Sequence, residues 1–441
     1  MEQGKVQSHP AVATETAALS ASPGLWECII GAGVARVGGA ALVLILQIYQ
    51  GSIGVPPQIV GLVSVAFYLT ELTGAPIFGA WVDRRGWRPF LLLGALLSAA
   101  AAMLTWVTTL MALPLALPVL VAARLLLGAG IASNVPATLS FISAASGQDA
   151  SRRARAVSWF ELATIGGTAL GGVLGAMLYN TMSTFSFIAV ALLYLLCMVV
   201  LLRVPAHLPD VPDHGSGHSS LLGLLRRRDL WSFAPAWVAV NAILGVWLNN
   251  FASMLTQPCA RPPTPQVAEL CGRLSNQLLV GDFSPTTAGA IFGSFAVLFS
   301  IGIVLWSRIL PGMRQSRAML ISLTGALATC GLVVLVNHLG EGQSLLVGVL
   351  ALLIAGALMV LSGFTPAALS MLVDLAERRA EDRGSTMGIY SVLLGVGQFL
   401  GGALGGVFAS WLGVDGLVLL TLIWTVIAAG CVVVFGRIEK A

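Results

Sequence analysis

The sequence predicts an all-α membrane protein of twelve transmembrane helices, arranged as two six-helix bundles that repeat one another in the same orientation. Three observations predict it. The 441 residues are 57% hydrophobic and only 10% charged, whereas a soluble domain carries about 25% charged residues. The apolar residues fall in blocks of about 20 to 29, the length an α-helix needs to cross ~30 Å of hydrocarbon. Two blocks of the first half reappear in the second at one fixed offset. The alternating strands of about ten residues that a membrane β-barrel requires are absent.

Taken in order, residues 1–24 form a polar, Ala/Ser-rich tail without a signal-peptide core, read as disordered. Six spans follow within 25–203, at about 25–49, 58–81, 89–111, 116–141, 156–178 and 184–203. The connection 204–229 is rich in Pro, Gly, His and Ser and reads as a linker between bundles. Six more spans lie within 230–437, at about 231–256, 286–307, 317–337, 345–373, 384–411 and 414–436, and 438–441 is a second tail. Of the 23 Lys and Arg, 19 fall in the tails and in the connections of one side. Only Arg261 and Arg273 lie in loops of the other side, and Arg36 and Arg124 lie inside spans. The positive-inside rule then places both termini in the cytoplasm, as an even number of spans requires. The net charge of +4 therefore reports topology and not nucleic-acid binding. The Ala, Gly and Leu content and the excess of Arg over Lys point to a bacterial cytoplasmic membrane.

Four of the six cysteines sit in spans and read as packing; Cys259 and Cys271 share the long external loop 257–285, where a disulfide can persist. No metal-ligand spacing is present. The repeat is visible at an offset of 230, where Pro136-Ala137-Thr138-Leu139-Ser140 matches Pro366-Ala367-Ala368-Leu369-Ser370. At the same offset Gly167, Gly171 and Gly175 match Gly397, Gly401 and Gly405. Both triplets are small-xxx-small faces suited to tight helix packing. Parallel repeats of six helices form a transporter architecture with the substrate site at the midplane between them.

The connection between spans two and three reads "GAWVDRRGWRP". Gly79, Asp83, Arg84, Gly86 and Arg88 in it resemble the signature of the major facilitator superfamily, with Trp87 in place of the first of two closing bases. That resemblance implies a gate on the cytoplasmic side, Asp83 facing the positive end of the eleventh span. Gly79 would permit close helix approach and Gly86 a tight turn. In span four, "RLLLG" resembles the family's Arg-x-x-x-Gly pattern, which implies that Arg124 lines the central cavity. In span five, Gly167-Thr168-Ala169-Leu170-Gly171-Gly172 is similar to the family's antiporter signature, with Thr168 where that signature has proline. Twelve spans, the repeat and the loop motif extend the resemblance over essentially the whole chain.

Charges inside spans are the strongest functional pointers, because each costs ~2.5–3.5 kcal/mol at mid-helix on insertion scales. Glu71 lies 13 residues from Gln58 and 12 from Asp83, near the middle of span two. Arg36 is central in span one, Arg124 slightly off centre in span four, and Glu161 only six residues from Arg155 at the cytoplasmic end of span five. The second half offers neutral groups instead, Asn241, Asn249, Ser362 and Gln398, with Gln47 in the first half as a further polar lining residue and Trp237 as aromatic cavity surface. The pattern predicts a charge-bearing, proton-titrating site in the first half, where a proton competes with a guanidinium for Glu71. A fixed Arg36–Glu71 pair and an anion site at Arg36 and Arg124 are the alternatives. Hydrolase, zincin, Walker and dinucleotide motifs are missing, so no enzyme, cofactor or ATP-driven pump is expected. The expected function is secondary transport of a small organic solute by alternating access, proton-coupled, in a monomer. An uncoupled facilitator, an efflux antiporter and a non-transporting sensor are the other readings.

Overall fold

The computed structural model describes residues 23–146, 150–206, 228–310, 313–340, 342–377 and 383–438. The tail to residue 22, linker residues 207–227, the end from 439, and the side chains of Asp83 and Glu161 lie outside the described residues. All regular structure among the described residues is helical. The first half contributes α1 (Leu25–Ser52), α2 (Pro57–Arg85), α3 (Arg88–Thr108), α4 (Leu113–Ser146), α5 (Ala150–Met182) and α6 (Ser186–Leu201). The second contributes α7 (Arg228–Leu255), a short α8 (Pro265–Arg273), α9 (Pro285–Ile309), α10 (Gln315–Asn337), α11 (Ser344–Leu361), α12 (Phe364–Glu377), α13 (Arg383–Leu412) and α14 (Val414–Ile438). Among the described residues eleven stretches are long and apolar enough to cross a membrane, and one of them, Leu162–Leu201, runs through both α5 and α6. The fold is thus twelve spans, with α11 and α12 as two pieces of one. Leucines such as Leu345 and Leu352, 84% and 76% exposed, form an outer surface that only lipid can cover.

Local sequence explains the helix ends. Pro57, Pro265 and Pro285 each open a helix at the position where a missing N–H costs nothing. Thr264 and Ser284 cap α8 and α9 by accepting from the Val267 and Thr287 amides. Gly86 ends α2 at φ +80°, a backbone conformation glycine adopts at no steric cost. The tenth expected span breaks at Ser362–Gly363, which the apolar pattern does not reveal. The cause is Trp306, whose ring lies where a Cβ on Gly363 would go. Its indole N–H donates to the Met359 carbonyl at 3.0 Å, and the Ser362 hydroxyl donates to the same oxygen at 2.8 Å. A carbonyl freed by the break is therefore satisfied inside the protein, as the membrane interior demands.

The glycine triplets are packing faces in both halves. A Cβ at Gly167 would lie 2.5 Å from the Gly33 carbonyl oxygen, and one at Gly397 would lie 2.5 Å from that of Val238. Gly171 and Gly175 meet the backbone of Val37 and Ala41 on α1; Gly401 and Gly405 meet Ala242 and Val246 on α7. The seam of α5 with α1 thus recurs as the seam of α13 with α7. Gly79 differs, since its nearest neighbour beyond its own helix is Pro136 Cβ at an ordinary 3.9 Å.

The segment between α7 and α9 is built rather than loose. Cys259 and Cys271 form a disulfide across 5.5 Å between Cα atoms, and Asp282 accepts from the Ala260 amide. Leu270 and Leu274 are buried in a core with Val246, Cys330 and Leu417. Gln277 donates to the Leu412 carbonyl and to Asp415, which also takes Asn337 and His338, both at 2.8 Å. Pro263 and Val267 reach over to the turn at Gly54, between α1 and α2. This end of the molecule is called the disulfide end below, and the end carrying residues 79–89 the motif end.

The seams yield a direct test. Gly401→Ala places a methyl into the Ala242 backbone, an overpacking that costs about 1–3 kcal/mol. Gly331→Ala, on a surface with nothing within 4 Å, serves as the control. Thermal melting of the purified protein should show a clear drop for the first and none for the second; equal melting would refute the packing role.

Candidate functional site

The described contacts between the two bundles gather toward the disulfide end. Helix pairs α1–α7, α2–α13 and α5–α9 carry most of the contact, and α2 also meets α7, where a Cβ at Gly61 would lie 2.6 Å from the Asn250 side-chain oxygen. On α1 and α7, Gly51 lies against Ser253 and Thr256, and Gln47 donates to the Leu248 carbonyl at 2.6 Å. On α2 and α13, a Cβ at Gly61 would lie 2.7 Å from the Gly402 carbonyl oxygen and 2.9 Å from Gly406 Cα. On α5 and α9, Gly289 and Gly293 lie against Ala176 and Val173. Beyond these contacts a cavity of about 490 Å³ opens between the bundles. It is lined by α1 to α6 of the first half and by α7, α9 and α13 of the second.

Its floor is polar. The Tyr68 hydroxyl donates across the bundles to the Gln398 side-chain oxygen, and Asn249 lines the wall beside them. Arg36 and Glu71 both line the cavity. They act on one another electrostatically, yet among the described residues neither closes an ion pair or a hydrogen bond. On the second bundle, Phe292, Phe295 and Phe299 of α9 present a row of rings, the last two stacked with centroids 5.6 Å apart. Phe67, Phe160 and Tyr194 add aromatic surface from the first half.

Of the residues expected from sequence, the cavity brings together Arg36, Glu71, Gln47, Asn249 and Gln398. Arg124 lies elsewhere: it is absent from the lining, 1% exposed, with its guanidinium 4.7 Å from the Phe67 ring centre and donating to the Ser64 carbonyl at 2.7 Å. Its Nε and Nη1 have no hydrogen-bond partner. It stands behind the aromatic wall and ties α4 to α2. Trp237 is likewise buried, packed in the second bundle with Trp306, Met319 and Phe364; a large apolar ring at mid-span suits a core as well as a wall, and burial prevails here. Asn241, Asn249 and Ser362 each donate to their own preceding turn, to Trp237, Gly245 and Met359, and of the three only Asn249 also lines the cavity. Sequence reasoning missed Tyr68 and the phenylalanine row. Both carry a signal, since Tyr68 is one turn from Glu71 and the phenylalanines recur at intervals of three and four.

At the motif end, Trp87 donates to the Pro205 carbonyl at 2.8 Å and Arg88 to that of Leu202 at 2.9 Å. The tryptophan that departs from the signature thus fastens the motif to the end of α6.

The Major Facilitator Superfamily profile matches residues 28–261 and 262–441. The chain belongs to the major facilitator superfamily. Solved structures agree with this superfamily fold at low identity. The nucleoside transporter NupG superposes at a TM-score of 0.67 and 15% identity, over 95% of this chain and 99% of that one. A POT family transporter in complex with a thioalcohol-conjugated peptide gives 0.67 and 15%, over 94% and 96%. A bacterial homologue of the human lysosomal transporter Spinster, inward-facing and unoccupied, gives 0.68 and 14%, over 94% and 96%. No curated protein sequence matches the chain. In this superfamily member the exposed face of the site is therefore open to chemical labelling. With Cys431 replaced by Ser, Arg36→Cys and Glu71→Cys should react with a small water-soluble maleimide, and Arg124→Cys should not. Labelling of position 124 at a comparable rate would contradict its burial.

Proposed function

We propose that this protein is a secondary transporter that moves a small organic solute across a bacterial cytoplasmic membrane by alternating access. The observation that carries the reading is the central cavity, closed by helix contacts toward one end and lined by two opposite charges that form no ion pair among the described residues. In this reading the motif end is cytoplasmic, both termini lie there, and the structure is the inward-facing member of the cycle. The inward-facing, unoccupied Spinster homologue supports that assignment, and the basic residues of the motif-end connections support the orientation. Transport of nucleosides and peptides by the neighbours supports a small polar solute. The absence of catalytic motifs in the sequence supports a transporter in preference to an enzyme.

Energy comes from a proton gradient. Glu71 is the one carboxylate among the described lining residues, and it stands near a base without being committed to it. A carboxylate so placed can exchange a proton with the cavity. The amide and hydroxyl floor, Gln47, Asn249, Gln398 and Tyr68, orients the solute by hydrogen bonds. Conversion to the opposite state requires the disulfide-end contacts to part and the motif end to close, with Asp83 at that gate. The protein works as a monomer.

The test is uptake into proteoliposomes under an imposed pH gradient, after a thermal-shift screen for a solute. Wild type should accumulate solute with the gradient, and Glu71→Gln should lose the gradient dependence while retaining downhill exchange. Equal gradient dependence in both would remove Glu71 from the coupling role. Indifference of the wild type to the gradient would favour an uncoupled facilitator.

A further inference from the structure

Arg36 and Glu71 are an unusual pair of wall groups. Both are ionisable, of opposite sign, on adjacent helices α1 and α2, and both line the same 490 Å³ cavity. They lie near enough to interact through space and yet form no ion pair; the one close ion pair among the described residues is His338–Asp415, at the disulfide end. Among the described residues neither is tied down by a hydrogen bond. Around them the lining is mostly aromatic and aliphatic, with Phe292, Phe295 and Phe299 as a continuous row on the facing bundle. Neutral hydrogen-bonding groups are spread among these, including Gln398 and Asn249 beside Tyr68, and Asn134, Thr168 and Ser300.

Resting on the transport reading above, we propose that the substrate is a zwitterion with an aromatic or large apolar body, an aromatic amino acid or small peptide in chemical class. The argument is a count of stranded charges when the cavity closes on its cargo. With Glu71 ionised, a neutral solute would leave both wall charges without a partner in the cargo, and a simple anion or cation would leave one. A molecule carrying a carboxylate and an ammonium leaves none. The Arg36 fork suits the carboxylate, which it can grip with two parallel N–H bonds. Glu71 accepts from the ammonium, and the Asn249 and Gln398 amides are the neighbouring neutral groups. The body then lies along the phenylalanine row, where flat apolar surface is buried. The cavity volume accommodates one such molecule. A proton and an ammonium are alternative occupants of Glu71, so proton coupling and cargo binding meet on a single carboxylate.

The experiment is calorimetric binding to the purified full-length protein in nanodiscs, with L-tryptophan and L-phenylalanyl-L-phenylalanine as probes. Each is offered as the free zwitterion, the N-acetyl anion, the methyl-ester cation and the doubly blocked neutral form. At least one zwitterion should bind, and each blocked form of it should bind roughly tenfold more weakly or worse, the loss expected when a charged hydrogen-bond partner is removed. Glu71→Gln should erase the preference over the N-acetyl form while keeping the preference over the ester. Arg36→Gln should do the converse. A side chain with only a structural role would not exchange preferences in this way. If a variant fails to fold, the four-form comparison on the wild type decides alone. Binding of no zwitterion, equal binding of the doubly blocked forms, or preferences unchanged in folded variants would overturn the proposal. A wild type that ignores every zwitterion yet carries another solute along a gradient overturns it too, and leaves the transport reading intact.

Discussion

Where α5 crosses α1, and again where α13 crosses α7, helices meet backbone against backbone. Lipid offers apolar side chains no drive to associate, so close approach of small residues and the dispersion it brings hold such helices together. The rest of the structure is hung from these two seams. Arg36 is placed at the cavity because its Cβ lies beside Gly167, 3.1 Å from where a methyl on that glycine would be. Gln398 is placed by Gly245, whose missing side chain admits the Gln398 backbone, and Asn249 by Gly402 in the same manner. The groups that give the cavity its chemistry thus sit directly on the residues that give the bundles their shape.

The two halves keep this frame and differ in what they carry. The first half has an unbroken α4 with Pro136 inside it, and it supplies both charges of the cavity. The second half interrupts the equivalent span just before Pro366, and Trp306 occupies the gap. It supplies the amide floor and the ring-lined wall in place of charge. A site assembled from one charged and one neutral half needs only one set of expensive mid-membrane ions. The neutral half can then vary its rings and amides without disturbing the electrostatics.

Much of the architecture was legible in the sequence because bilayer thickness dictates span length and bare glycine spacing dictates close approach. The repeat, the two seams and the positions of Glu71 and Arg36 could be read from those rules. Depth within a bundle could not. Arg124 and Arg36 look alike as single charges in apolar runs, but one is sealed behind Phe67 and the other faces the cavity. Trp237 and Phe295 are both aromatic residues at mid-span, and only their neighbours from other helices separate core from wall. The break at Ser362–Gly363 escaped for a similar reason, since its cause, Trp306, lies 57 positions away in the chain. Information of this kind belongs to pairs of helices and is absent from any one of them.

Between the bundles, Gly61 and Gly406 bring α2 and α13 together with no room for a side chain on either. This joint differs in kind from the seams, because in the proposed transport cycle it links bodies that part. A methyl added there would penalise one state of the machine and leave each bundle as well built as before. Inherited variation at these two positions would then pass every cellular check on folding and abundance. It would surface only as a change in what the cell takes up or expels, a defect of physiology in a protein present at its normal level.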